Sequence, residues 1–221
     1  MLKVNELFET IQGEGVWTGT PAIFLRLQGC PVGCAWCDTK HTWEVDPDQE
    51  SSFDIVKNKK VDSQRWCQIS VEDILLHCME RYTARHLVIT GGEPCMYDLV
   101  SLTSQFEKAG FTCQIETSGT FDVKVSESAW VTVSPKLGMK GGFNMKAQAL
   151  SRANEIKHPV GTHKDIENLH ELLSKFDVHN NIVLALQPIS QKTRATELCI
   201  EACIKNNWRL SIQTHKYLQI A

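Results

Sequence analysis

The stretch LQGCPVGCAWCDTKHTW, residues 27–43, contains three cysteines, Cys30, Cys34 and Cys37, in the spacing Cys-x3-Cys-x2-Cys. Thiolates are ligands of zinc, copper(I) and iron–sulfur clusters. A structural zinc site needs four protein ligands, and His41 follows Cys37 closely enough to be the fourth. Three cysteines alone fit a 4Fe–4S cluster whose fourth iron is free to bind a ligand. The spacing therefore leaves two alternatives open, a Cys3His zinc site and a cluster with one open position.

The composition of the chain limits the classes of protein to consider. The chain has 221 residues, 42% of them hydrophobic, and we predict a single α/β domain over residues 1–221. The net charge of −3 gives no basis for non-specific binding of nucleic acid. The N-terminus lacks the apolar region of a secretory signal, and no apolar run reaches the roughly 18 residues of a membrane span. We therefore expect a cytoplasmic protein without membrane or nucleic-acid partners, in which most of the other cysteines are small buried apolar residues.

Apolar, strand-like segments alternate with amphipathic helical segments along the chain. This alternation is typical of βα units with right-handed crossovers around a parallel sheet. A complete (β/α)8 barrel takes about 250 residues, so we predict an incomplete (β/α)6-type partial barrel. The predicted strands cover residues 22–27, 86–90, 113–118, 130–134, 155–160, 182–188 and 209–214, and the predicted helices cover residues 71–82, 98–110, 165–176 and 193–207.

Polar residues and glycines follow the predicted strands, at the edge where parallel sheets bind their ligands. The cysteines follow the first of these strands. TGGEP follows the second, where Gly91 and Gly92 allow a ligand to approach the backbone closely. Further along the chain ETSGT, SPK and QPIS each follow a strand, and His215 comes after the last one. Together these residues predict a small-molecule site at this edge.

The cysteine motif, with Trp36 before its last cysteine and TGGEP downstream, resembles the radical S-adenosylmethionine (SAM) enzymes. A narrower resemblance, from about Asn5 to Ala221, is to the 7-carboxy-7-deazaguanine synthase family. The discriminating pieces are QGEG before the cysteines and CDT at their end. The other matching segments are VITGGEP, IETSGT, VSPK, EIKHPV and LQPIS.

The resemblance implies that Cys30, Cys34 and Cys37 hold a 4Fe–4S cluster whose fourth iron binds the amino and carboxylate groups of SAM. It implies that a 5′-deoxyadenosyl radical takes a hydrogen atom from C6 of 6-carboxy-5,6,7,8-tetrahydropterin. The pterin ring then contracts and loses ammonia, giving 7-carboxy-7-deazaguanine for queuosine and 7-deazapurine biosynthesis. The radical chemistry belongs to the cofactor, while the protein orients the reactants and excludes solvent.

The resemblance also implies a binding site for SAM. Gly92 is expected to meet the amino group through its carbonyl or amide, and Lys136 suits the carboxylate. Glu116 is expected to hold the ribose hydroxyls. The implied SAM-binding residues are Trp36, Cys37, Asp38, Gly92, Glu116, Ser134, Pro135, Lys136, Gln187, Pro188, Ile189 and Ser190.

The pterin site is expected to include Arg26, because a buried charge in an apolar strand needs a partner. That partner is either the substrate carboxylate, bound in bidentate fashion, or a protein carboxylate in an ordinary salt bridge. Ile11, Gln12 and Gly13 are expected to read the pterin edge with backbone groups, joined by the Glu14 carboxylate. The implied substrate-binding residues are Ile11, Gln12, Gly13, Glu14, Arg26, Thr90, His215 and the chain end, Ala221.

Thr39, in CDT, is implied as a ligand of Mg²⁺. A hydroxyl, water and a substrate carboxylate are oxygen ligands that suit this hard cation. From the sequence pattern alone, the alternative is a loop hydroxyl that caps a backbone amide.

Two features depart from the family pattern. Some members carry a longer insertion between the first two cysteines, so the loop over the site differs here. Residues 44–68 are charged and polar, and we interpret them as a surface insertion without an assigned role.

Two other functions compete with ring contraction. A radical SAM activase of a partner protein shares the cysteine spacing but does not explain QGEG or Arg26. The other is a non-enzymatic Cys3His zinc module that binds nucleic acid or protein, and the net charge of −3 and the lack of a Lys/Arg stripe count against it. For the enzyme, the resemblance favours a homodimer and an electron donor such as a flavodoxin.

Overall fold

The computed structural model of the protein describes residues 1–59, 61–179 and 181–220. Its centre is one sheet of nine strands. These are β1 (Leu2–Ile11), β2 (Pro21–Leu27), β3 (Cys67–Ile69), β4 (His86–Gly91), β5 (Thr112–Thr117), β6 (Trp130–Val133), β7 (Glu155–Val160), β8 (Val183–Pro188) and β9 (Arg209–Leu210).

The strand order across the sheet is β3-β1-β2-β4-β5-β6-β7-β8-β9. All neighbouring pairs from β2 to β9 are parallel, whereas β1 runs antiparallel to β2 and to β3. The helices are α1 (Phe53–Lys57), α2 (Val71–Arg81), α3 (Val100–Lys108), α4 (Ala147–Arg152), α5 (His163–Lys175), α6 (Thr193–Asn206) and α7 (Thr214–Leu218). The predicted partial barrel is confirmed, with β2 and β4 to β8 as its six parallel strands and β9 as a short addition.

The four predicted helices form, and their ends agree with the sequence signals. The hydroxyl of Ser70 accepts a hydrogen bond from the Asp73 amide at 3.0 Å, which caps the start of α2. At the start of α5, Thr162 and Asp165 form a reciprocal capping box. No helix in the described part of the chain is long and apolar enough to cross a membrane.

Two strands were missed by the sequence pattern, and one was predicted too long. In β1 the register shifts between Val4 and Glu6, which interrupts the alternation of apolar and polar residues. β3 has three residues, too few to show a period. The strand predicted over 209–214 is reduced to two residues, because the chain turns into α7 at Thr214.

Residues 44–68 are not a loose surface excursion. The side chains of Val56 and Trp66 are buried in the core, and Trp66 Nε1 donates a hydrogen bond to the Asp46 carbonyl at 2.9 Å. The segment contains α1 and leads into β3 beside β1. The charged residues that dominate its composition concealed the few apolar side chains that fix it to the sheet.

The two faces of the sheet differ in polarity. Ile115 of β5, Val131 of β6 and Ile156 of β7 belong to the apolar core. The alternate positions, which point to the other face, carry polar groups such as Glu116 and Lys157. The concave face of the partial barrel therefore contains buried polar and charged side chains.

Candidate active site

The three cysteines lie on a loop that backbone hydrogen bonds hold at the end of β2. The amide of Gly29 donates to the Thr42 carbonyl at 2.7 Å, and the amide of Cys30 donates to the Trp43 carbonyl at 2.9 Å. All three cysteines line a cavity of about 230 Å³, called here the cysteine cavity. The loop therefore presents three thiols to one cavity.

The arrangement of these thiols fits an iron–sulfur cluster and not a single zinc ion. Among the described residues, the group of metal-binding side chains with ligand atoms within 4.8 Å of one another is Glu6, His41 and Asp62, without the cysteines. The ring of His41 lies 3.8 Å from Glu6 and lines a different cavity. The three sulfurs therefore do not all lie within 4.8 Å of one another, and His41 does not complete a Cys3His set. The zinc alternative is wrong.

Two of the three cysteine thiols, those of Cys30 and Cys34, are partly or fully withdrawn from solvent. Burial raises the pKa of Cys30 to about 11 and also raises the pKa of Cys34. For Cys34 the Lys136 ammonium opposes this effect. These thiols therefore keep their protons at neutral pH until iron displaces them.

The two glycines of TGGEP pack against the base of the cysteine loop. A Cβ on Gly91 would overlap the Leu27 backbone, and a Cβ on Gly92 would overlap the Gly29 carbonyl oxygen. The Gly92 amide donates to the Leu27 carbonyl at 2.9 Å. The glycines therefore allow close approach of protein backbone, and of the two groups proposed for the SAM amine only the Gly92 carbonyl is available.

Glu93, the third residue of this motif, joins two strand ends. Its side chain is buried, and its Oε1 accepts a hydrogen bond from the Thr117 hydroxyl at 2.6 Å. Its Oε2 accepts from the Ser118 amide at 2.9 Å. Glu93 thus fixes the end of β5 beside the end of β4.

The structure brings the implied SAM residues together. Lys136 is partly buried, and its Nζ donates a hydrogen bond to the Ser134 hydroxyl at 2.5 Å. Burial lowers the pKa of Lys136. Pro135 lies between these two residues without lining the cavity. The implied residues that line the cysteine cavity are Trp36, Cys37, Asp38, Gly92, Glu116, Ser134, Lys136, Gln187, Pro188, Ile189 and Ser190.

A second cavity of about 400 Å³, called here the arginine cavity, lies around Arg26. The Nε of Arg26 forms an ion pair with Glu6 Oε2 at 2.9 Å, so this arginine already has a protein partner. Its guanidinium also lies over the rings of Phe8 and Phe24. The implied substrate residues that line this cavity are Ile11, Gln12, Gly13, Glu14, Arg26, Thr90 and His215. Ala221 lies outside the described residues.

Backbone groups of QGEG that were expected to bind the pterin form hydrogen bonds within the protein instead. The Gln12 amide donates to the Thr20 carbonyl at 2.8 Å, and the Gly13 carbonyl accepts from the Thr214 amide at 2.9 Å. The Gln12 amide is therefore not free to read the pterin edge. The ring of His215 packs directly against Gly13, and burial lowers the pKa of His215.

The two cavities share one wall. Thr39 lies on it, and its hydroxyl donates a hydrogen bond to the Gly91 carbonyl at 3.3 Å, so it does not cap a loop amide. The Lys216 ammonium forms an ion pair with Asp38 at 3.1 Å. The residues that line both cavities are Glu14, Asp38, Thr39, Thr90, Glu116 and Lys216.

A buried lysine joins two carboxylates of this shared wall. The Lys157 Nζ lies 2.7 Å from Glu14 Oε2 and 2.8 Å from Glu116 Oε2. Burial opposes the charge of each group. The pKa of Glu14 nevertheless falls to about 2 because of Lys157. Burial raises the pKa of Glu116 to about 7, since Glu14 and Glu155 add repulsion that Lys157 only partly offsets.

Sequence reasoning gave no role to Glu93, Lys157 or Gln213, which all line the cysteine cavity. Glu93 and Lys157 stand in segments that were quoted for the resemblance, GGEP and EIKHPV. A charged residue at an alternate position of a buried strand was the available signal for Lys157. Gln213 offered no such signal.

Comparison with known proteins places this site in a class. The family described as a 4Fe-4S single cluster domain matches residues 11–134. This span contains the three cysteines, the TGGEP motif and the strands β2 and β4 to β6 that carry them. The protein is thus an iron–sulfur protein with the fold of the radical SAM enzymes.

Curated relatives narrow the class. The 7-carboxy-7-deazaguanine synthase of Escherichia coli (strain K12) is 61% identical over 219 residues, covering 99% of this chain and 98% of the relative. That of Buchnera aphidicola subsp. Schizaphis graminum is 48% identical, covering 98% of each chain. The crystal structure of QueE from Escherichia coli superposes with a TM-score of 0.93 at 60% identity, covering 96% of this chain and 93% of that one. The chain belongs to the 7-carboxy-7-deazaguanine synthase family.

Proposed function

We propose that the protein contracts the ring of 6-carboxy-5,6,7,8-tetrahydropterin to 7-carboxy-7-deazaguanine with loss of ammonia, as a carbon–nitrogen lyase. The observation that carries this proposal is the shared wall between the cysteine cavity and the arginine cavity. A radical generated on one side must reach a substrate on the other, and adjoining cavities permit that without exposure to solvent. An activase would instead have to admit a segment of a partner protein.

The cysteine cavity would hold the 4Fe–4S cluster and SAM. When bound and reduced, the cluster supplies the electron that cleaves SAM to methionine and a 5′-deoxyadenosyl radical. Lys136, which lines this cavity together with Cys34, would bind the SAM carboxylate. Ser134 would hold that ammonium in place. The loop of residues 187–190 would line the far side of SAM.

The shared wall would orient the two ligands. Glu116 would hold the ribose hydroxyls, since Lys157 and Gln114 fix its carboxylate at the junction of the cavities. The Gly92 carbonyl would accept from the SAM amine. Thr90 would contact the pterin from the same wall.

The arginine cavity would hold the pterin. Arg26 would bind the substrate carboxylate while Glu6 holds its Nε, because a guanidinium can serve two carboxylates at once. Glu14 would face the pterin amidine edge, with each carboxylate oxygen already accepting one bond, from Lys157 and from Gln213. His215 would close the cavity from α7.

Thr39 would ligate Mg²⁺ between the cavities. Its hydroxyl lies on the shared wall within reach of both ligands. Oxygen ligands from Thr39, water and the substrate carboxylate match the preference of Mg²⁺. The Gly91 carbonyl, to which the hydroxyl donates, would orient its lone pairs toward the ion.

The organisation beyond the site is also a proposal. The chain would work as one domain, because one sheet runs from β3 to β9. A homodimer would cover exposed apolar side chains near the chain end, such as Leu218.

A flavodoxin-like electron donor would meet the exposed Lys140, which packs against Gly33 of the cysteine loop. The free thiols of all the cysteines suit a reducing cytoplasm.

One anaerobic experiment tests the function. The protein is reconstituted with iron and sulfide and supplied with SAM, Mg²⁺, reductant and 6-carboxytetrahydropterin, and the products are identified by mass spectrometry. We expect 7-carboxy-7-deazaguanine and ammonia in equal amounts. Formation of 5′-deoxyadenosine without that product would support radical SAM chemistry but would show that the assigned substrate is wrong.

A further inference from the structure

We propose that Lys157 is a positioning residue that ties the arginine cavity to the cysteine cavity, so that binding of the pterin raises the affinity for SAM and the reverse. This inference rests on the proposed function, because it assigns the pterin to one cavity and SAM to the other. Lys157 lies on β7, in the EIKHPV segment, to which the mechanism gives no direct contact with either ligand's reacting atoms.

The ammonium of Lys157 is placed midway between the two carboxylates that face the ligands. Its Nζ is 2.7 Å from Glu14 and 2.8 Å from Glu116, and its side chain is 4% exposed. Glu14 and Glu116 both line both cavities. A movement of either carboxylate is therefore transmitted through one shared cation.

Each carboxylate accepts a hydrogen bond from a glutamine at its other oxygen. Gln213 Nε2 donates to Glu14 Oε1 at 2.7 Å, from the segment that leads into α7. Gln114 Nε2 donates to Glu116 Oε1 at 2.9 Å, from the same strand, β5. The chain Gln213–Glu14–Lys157–Glu116–Gln114 thus spans the shared wall with every carboxylate oxygen bonded.

The electrostatics make the lysine necessary for this arrangement. Burial disfavours the charged form of Lys157, but Glu116, Glu14 and Glu155 reverse this and hold its pKa well above its usual range. Glu155 is fully buried behind the pair and accepts a hydrogen bond from the Thr132 hydroxyl at 3.0 Å. Without the ammonium, three carboxylates would repel one another in a largely buried site, and they would separate or take up protons.

Coupling between the ligands follows from this geometry. A pterin that hydrogen-bonds Glu14 fixes the ammonium, and the ammonium fixes Glu116 in the orientation that receives the ribose. The second ligand then meets a wall that is already ordered, so it binds more tightly. By thermodynamic linkage, SAM must raise the affinity for the pterin by the same factor.

The test measures SAM affinity by calorimetry on the reconstituted, unreduced protein, with and without 6-carboxytetrahydropterin. Without a reductant there is no turnover, so the readout is independent of activity. We expect the pterin to tighten SAM binding by about tenfold, within the usual range for coupled sites. In Lys157→Met this ratio should fall to about one. The matched control is Lys164→Met, which removes an exposed lysine paired with Glu167 and should keep the full ratio.

The outcomes separate coupling from folding. If Lys157 has only a structural role, Lys157→Met would weaken SAM binding equally with and without the pterin. The ratio of these two SAM affinities would then match that of the wild type, and this result would overturn the proposal. If Lys157→Met does not fold, Glu116→Gln preserves the side-chain volume and weakens the same link by removing its negative charge, so it should also reduce the ratio. Absence of coupling in a wild-type protein that forms 7-carboxy-7-deazaguanine would overturn this inference alone, whereas absence of that product would overturn the proposed function.

Discussion

Arg26 and Glu6 face each other across the antiparallel pair β1–β2, and their side chains form an ion pair at 2.9 Å inside the arginine cavity. Glu6 holds the Nε edge of the guanidinium, and Arg26 itself lines the cavity. A carboxylate ligand would therefore meet an arginine whose orientation is already set, which lowers the entropy lost on binding.

Replacement of Arg26 by Ala should raise the apparent KM for the pterin by about tenfold or more, because a charge-assisted hydrogen bond contributes about 1.5–3 kcal/mol. SAM cleavage in the absence of substrate and the iron content should stay close to wild type. Steady-state kinetics and the uncoupled formation of 5′-deoxyadenosine measure these quantities. Arg194→Ala, on an exposed position of α6, is the control. Loss of uncoupled SAM cleavage in Arg26→Ala would contradict the assigned role.

Glu116→Gln should change how stability depends on pH. The pKa of Glu116 is raised from its ordinary 4.5 to about 7. Between these values the folded protein keeps a proton that the unfolded chain has lost, so this group makes folding less favourable as pH rises from about 4.5 to 7. The Gln variant should lack that decline, which amounts to about 3 kcal/mol at most. Urea unfolding of the iron-free protein at several pH values measures it.

A control separates this effect from general acid sensitivity. Glu171→Gln removes an exposed carboxylate of α5 and should leave the wild-type pH dependence in place. Identical pH profiles for wild type and Glu116→Gln would show that Glu116 titrates normally.

Gly92→Ala should damage the cysteine loop. The added Cβ would overlap the Gly29 carbonyl oxygen, one residue before Cys30. Overpacking of this kind costs about 1–3 kcal/mol, and here the displaced segment carries a cluster ligand. We expect the variant to lose most of its iron and its brown colour after reconstitution. Gly161→Ala, whose Cβ would make ordinary contacts of 3.6 Å, should retain both.

Thr39→Val should weaken the response to Mg²⁺. The variant keeps the shape of the side chain and removes the hydroxyl that lies on the shared wall. Loss of a group that supports a metal typically costs roughly 10–100-fold in metal affinity. The Mg²⁺ concentration that gives half-maximal activity should therefore rise by at least that factor. Thr39→Ser should respond to Mg²⁺ as the wild type does. If wild-type turnover proved indifferent to chelation of Mg²⁺, the magnesium assignment would be wrong.

The sequence predicted the parallel strands and their helices because these elements depend on local patterns. The central apolar runs, the caps of α2 and α5, and the cysteine spacing are all local. β1 was missed because the register shift between Val4 and Glu6 breaks its alternation. The polar concave face was missed because charged residues at alternate positions of β5 and β7 become acceptable only when their partners from other strands are present.

The sequence predicted which residues line the site better than it predicted which side chains they contact. Almost all the implied residues line the two cavities, since they follow from strand ends and motifs. Their partners depend on distant parts of the chain. Glu6 reaches Arg26 from the neighbouring strand, and Lys157 is 143 residues from Glu14. The hydrogen bonds that occupy the backbone of Gln12 and Gly92 likewise arise only when the chain is folded.

The loop that carries the cysteines is fastened by its backbone and not by its thiols. Gly29 binds Thr42, Cys30 binds Trp43, and the Glu93 amide donates to the Gly29 carbonyl at 2.8 Å. None of these bonds involves iron. We therefore expect the loop to keep its shape in a molecule whose cluster has been destroyed by oxygen, so that repair would require new iron and sulfide but no refolding of the loop.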